Sequence, residues 1–137
     1  MAALSDYLEE RLLSLVFKNN ALAFTSPGDQ LWLAAFTSGV GVEAGDLLGE
    51  VSGGAYARQQ VPAADWTQMG SGVTNAVDID FPVATDGWGT IVHAAIMDSA
   101  TLGAGNVLLH GALTISRSVG VNDQLRFLVG EVEVGLD

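Results

Sequence analysis

The chain has 137 residues, enough for one real hydrophobic core with little room for a second. It is 49% hydrophobic and only 15% charged, which excludes a disordered chain. Sixteen acids stand against five cations, a formal charge of −11, and Arg11, Lys18, Arg58, Arg117 and Arg126 never cluster, so nucleic acid and anionic membrane surfaces are poor partners.

The N-terminal segment carries the one helix the pattern predicts, over residues 6–18. Ser5 is a suitable N-cap, and Asp6, Glu9 and Glu10 place negative charge at the positive end of the helix dipole. Leu8, Leu12, Leu15 and Val16 fall on one apolar stripe. Asn19-Asn20 is the stop. Because the acids interrupt the apolar residues and no basic start precedes them, the segment does not read as a signal peptide. No run approaches transmembrane length.

Beyond the helix, glycine becomes frequent and the spacing turns to two. Ser26-Pro27-Gly28-Asp29 is a turn, and Leu31 to Thr37 reads as a short buried strand. Ser38 to Gly54, with Glu43, Asp46 and Glu50, reads as a long loop, and Ala55 to Val61 as a strand. The clearest alternation sets Val73, Asn75, Val77, Ile79 and Phe81 against Thr74, Ala76, Asp78 and Asp80, the pattern of one half-buried strand. Pro82 should end its pairing. Trp88 to Met97 is a further strand, and Asp98 to Asn106 is a turn region. Val107 to Ile115 follows, with Gly111 as a candidate bulge. Asn122-Asp123 turns into Leu125 to Val129, and Val132, Val134 and Leu136 alternate to the end. The expectation is a single domain over 1–137: a mostly β, antiparallel β-sandwich (jelly-roll-like) with one N-terminal amphipathic helix and about seven or eight strands.

Candidate chemistry is sparse. The absence of cysteine removes disulfides and thiolate metal sites. His93 and His110, the only histidines, lie in separate strands, and a metal would need further convergent ligands. They read instead as partly buried imidazoles hydrogen-bonded within a sheet. Asp78 and Asp80 share a strand face, but no oxygen-rich loop accompanies them as calcium requires, so they read as a solvated face that discourages edge pairing. No nucleophile elbow or phosphate loop is present. Of Trp32, Trp66 and Trp88, Trp66 lies in the most polar stretch and is the candidate partner contact. No catalytic, cofactor or metal site is expected.

Several stretches carry a family likeness. They are Leu4 to Glu9, Leu31 to Thr37, Glu50 to Gln59, Asp80 to Thr85, Trp88 to His93, Leu108 to Leu113 and Asn122 to Phe127. On these the chain resembles a family of small structural proteins of tailed bacteriophages, described as tail-fibre or capsid-decoration proteins. The matching residues are framework, with Gly53-Gly54 a turn feeding a strand and Tyr56 and Arg58 on one face. The resemblance implies a non-enzymatic virion component on the outer surface of capsid or tail, made in the host cytoplasm.

The sequence then supports two expectations of different class. The first is an oligomeric capsid decoration or cement protein, with a tail-associated component as the variant. It would form a small symmetric oligomer such as a trimer, bound to the major capsid protein or tail proteins. Leu8, Leu12, Leu15, Val16, Tyr56, Arg58 and Trp66 are the candidate anchoring residues. Apolar excess supports self-association, and the acidity favours a surface facing away from packaged DNA. The second is a carbohydrate- or receptor-binding sandwich built on Trp66, Asp65 and Asp86.

Overall fold

A computed structural model describes residues 2–135. It is built mainly of antiparallel strands with a single α-helix near the N-terminus, and the strands pack in a sandwich-like arrangement.

The chain enters as a two-residue strand, β1 (Ala3–Leu4), and turns directly into α1 (Asp6–Phe17). Ser5 makes that corner. Its hydroxyl accepts the Leu8 N–H at 3.2 Å and donates to the Val107 carbonyl, while its backbone N–H bonds the Leu108 carbonyl at 3.0 Å. One buried serine therefore caps the helix and fastens it to a strand more than a hundred residues away. Asp6 and Glu9 occupy the first turn, as the dipole favours. At the other end Lys18 N–H bonds Ser14 O, and Asn19 takes a φ of +50° that stops the helix.

The largest sheet has five strands in the order β1-β8-β7-β2-β3. Here β2 is Trp32–Phe36, β3 is Gln59–Gln60, β7 is Gly89–Met97 and β8 is Val107–Val119. A three-stranded sheet holds β10 (Glu133–Gly135), β5 (Gly72–Asn75) and β4 (Trp66–Met69), in that order. A two-stranded ribbon pairs β6 (Ile79–Val83) with β9 (Gln124–Phe127).

At β2 the five-stranded sheet is buried on both faces, which explains why that strand is continuously apolar. On one face Leu33, Ala35, Ile91 and Ile96 meet Ile79, Phe81, Leu125 and Phe127 of the ribbon. Aromatic rings fill that core: Tyr56 stacks on Phe81 at 6.0 Å, and Trp88 meets Tyr56 edge-on at 5.4 Å. On the other face Ala34, Phe36, Ala95, Met97 and Val107 pack under Val42 of the 38–49 loop.

Four strand expectations need correction. Ala55 to Val61 contributes only Gln59–Gln60, because Gly53, Gly54 and Ala55 all have positive φ and curl the chain into a turn. Gly54 is required there twice over: its φ is +59°, and a Cβ would come within 2.8 Å of Trp88 Nε1, which donates to the Gly54 carbonyl. Residues 73–81 form two strands in different sheets, not one. Asn75, wholly buried, turns the chain between them: its Nδ2 donates to Val77 O and Leu128 O, and its Oδ1 accepts from Val132 N at 2.9 Å. Pro82 interrupts its ladder without ending it, since pairing resumes at Val83 after a register shift. Finally, β8 runs on to Val119, and Gly111 lies in regular register opposite Ala94; the irregularities fall at 107–109 and 112–117. At the C-terminus, β10 includes Val134; Leu136 lies outside the described residues.

Candidate assembly surface

Within the Gly-rich loop, Glu50 is the residue that composition alone does not single out. Arg58 grips its carboxylate with two bonds of 2.7 Å, from Nε and Nη2. The other Arg58 nitrogen, Nη1, donates to the carbonyls of Ser99 (2.8 Å) and Ala104 (2.9 Å). Tyr56 donates its hydroxyl to Glu50 at 2.9 Å and accepts the Ala35 N–H at 2.9 Å. Burial, and then the Glu50 charge, push the Tyr56 phenol well above its ordinary range, so it stays a donor. This cluster ties together β2, the 50–60 segment and the 98–106 turn. Tyr56 and Arg58 do share one side, as expected, but it is the inner side. Arg58 is 3% exposed, and both side chains are committed within the chain rather than presented to a neighbour.

The stripe on α1 is divided. Leu8 is buried against the domain, Leu12 and Leu15 are half-buried, and Val16 is exposed. In the second half of the helix three apolar residues lie outside the packed face. Leu13, Val16 and Phe17, at spacings of three and one, stand 57%, 68% and 76% exposed, and Leu22 just past the helix is 88% exposed. A signal for this was present: five of the six residues from Leu12 to Phe17 are apolar, too many for one stripe.

A second apolar feature is a groove of about 620 Å³ between β8 and β10. Leu109 and Leu113 line one wall, with Phe127, Val132 and Val134 opposite. β1 covers only Leu109 and His110 on that edge of β8. Arg117 closes one end, its guanidinium 4.8 Å over the Phe127 ring and 3.1 Å from Glu131.

The remaining candidates are internal or paired. Trp66 is half-buried against the main core, with Nε1 donated to Val61 O at 3.0 Å. Asp65 is half-buried and Asp86 exposed. Asp80 pairs with Arg126 at 2.5 Å, and Asp78 accepts the Val129 N–H at 3.0 Å. His93 Nε2 lies 3.0 Å from His110 Nδ1. Among the described residues no group of three His, Cys, Asp or Glu is placed to hold a metal ion, and no helix is long and apolar enough to cross a membrane.

One comparison places this architecture. The family model described as Podophage GP4 fiber I protein gp80 matches residues 3–135, from the first residue of β1 to the last of β10. The chain belongs to this gp80 fibre family. No curated protein matches it. The family assigns the chain to the structural proteins of tailed phages, and so to the virion. Because the match spans every element of the gp80 fold, it takes in the buried cluster and the exposed end of α1 alike.

Proposed function

We propose that the protein is a non-enzymatic subunit of the tail-fibre apparatus, assembled from several copies of this chain through the exposed end of α1. The observation that carries the reading is the family match over residues 3–135. Scale supports assembly: a domain of 137 residues has a radius of gyration of about 14 Å and cannot by itself extend as a fibre. The occupant of the helix end is then a second copy, whose own Leu13, Val16 and Phe17 supply the matching apolar surface. A trimer would place three such ends around one axis. The charge of −11 supports an outward position, since it repels packaged DNA.

Capsid decoration is the second reading, favoured by the compactness of a domain that would fit a repeating head lattice. Cryo-electron microscopy of purified virions tests both. The expected result is density for this fold repeated at the tail; the same fold on the head lattice would select decoration. Absence of the protein from purified particles would overturn the structural reading altogether.

A further inference from the structure

We infer that His93 and His110 form an acid-sensitive latch that holds the 38–49 loop against the five-stranded sheet. The two rings are set diagonally on neighbouring strands, His93 opposite Ala112 and His110 opposite Ala95. Their centroids are 5.3 Å apart, a separation equal to the 3.0 Å N···N distance plus two ring radii, with the planes 28° apart. The rings therefore meet end to end through a direct N–H···N bond rather than face to face. Lone pairs aimed at each other along one line leave no convergent position for a metal.

That line admits one hydrogen between the two nitrogens, whichever tautomer supplies it. A first added proton leaves the bond intact, because the charged ring can donate and the neutral ring accept. A second proton puts N–H against N–H at the same place and removes the bond. His110 has little room to yield, since its Nε2 is buried with no hydrogen-bond partner. Both side chains are half-buried, and the loop backbone lies on His93: a Cβ built on Gly39 would come within 2.6 Å of His93 Nδ1. Movement of His93 is thus movement against Gly39.

What the loop covers gives the latch its consequence. Val42, fully buried, completes the second core beside Phe36 and Met97, and the Glu43 carbonyl accepts the Asp6 N–H at 3.0 Å, joining the loop to the start of α1. The charged groups on the elements packed around the pair are Asp6, Glu9, Glu10 and Arg11 on α1, Glu43 and Asp46 in the loop, and Arg117 far along β8; none is hydrogen-bonded to either ring. Burial, and then His110, hold His93 below its ordinary value of 6.5. The unfolded chain accordingly binds more protons than the native one as pH falls through 6.5. The contribution of His93 to stability is complete above that value and is lost as pH falls below it.

The test is a histidine side-chain NMR titration of the wild-type protein from about pH 7.5 to about pH 5, the range in which imidazole changes charge. Amide exchange at Val42 and Ala44 is followed in parallel and corrected for its intrinsic pH dependence. The expected result is a coupled titration in two separated steps. Corrected exchange at those amides should rise about tenfold across the second step, the equivalent of one pKa unit. In His93→Gln the pH-dependent rise should vanish. Independent titration of the two rings, or corrected exchange that does not change with pH, would overturn the latch. So would a rise that persists in His93→Gln, which would assign it to Asp6, Glu43 or Asp46. If that variant does not fold, the wild-type titration decides alone.

Discussion

Arg58 and Glu50 are charged and buried, whereas Val16, Phe17 and Leu22 are apolar and exposed. Each set lies on the side of the surface opposite to the one its residue type favours. The difference lies in partners. The charged set has a full complement inside the chain: a bidentate ion pair, a phenol and two backbone carbonyls. The apolar set stands mostly in water and belongs to neither buried core among the described residues. Burial here follows the supply of partners, so the first cluster shapes the subunit, and the second is the surface we propose another copy covers.

Three substitutions separate these roles. Arg58→Ala should have the largest effect, a loss of about 3–5 kcal/mol, because it strands the Glu50 carboxylate in the interior. Chemical denaturation measures it; a loss below about 1 kcal/mol, the range of a surface pair, would mean the cluster is not an interior ion pair in solution. Tyr56→Phe comes next. It keeps the ring against Phe81 and Trp88 but leaves the Ala35 N–H without its acceptor, and should cost about 1–3 kcal/mol in the same assay. Phe17→Ser should change subunit stability least, by about 0.5 kcal/mol or less. Yet it should lower the assembly state seen by sedimentation. An unchanged assembly state would erase the contrast between the two clusters and remove the helix end as an interface.

The sequence shows some of this fold directly and hides the rest for identifiable reasons. α1 was legible because its signals are local: Ser5, Asp6 and Glu9 act within one turn. β9 was legible because alternation and burial coincide, and β7 because its run is apolar on both faces. The break at Asn75 was not legible. Period-two spacing continues straight through it, and what turns the chain is a side chain bonding to Leu128 and Val132, more than fifty residues away. Glu50 was hidden for the same reason, since an acid in a Gly-rich loop ordinarily faces water and its partners are set by the tertiary fold. Tyr56 and Arg58 were recognised as belonging together. Which way they face depends on the turn at Gly53 to Ala55, where a non-glycine residue adopts positive φ. The two histidines were read as partly buried imidazoles hydrogen-bonded within a sheet, and that they bond each other end to end is what the structure adds.

The bonds made by Asn75 also set an order of events during synthesis. β5 pairs with β10, β6 pairs with β9, and Asn75 itself reaches Leu128 and Val132. None of these partners exists until residues 124–135 have left the ribosome, and closure over such separations is slow compared with forming the β7–β8 hairpin. A nascent chain can therefore build the hairpin early but cannot cover its inner face. Until translation reaches residues 124–135, Ile91, Ile96 and Leu33 have no ribbon above them. A chain cut short of residue 124 would leave that core open, so strands made late are the ones that seal the interior.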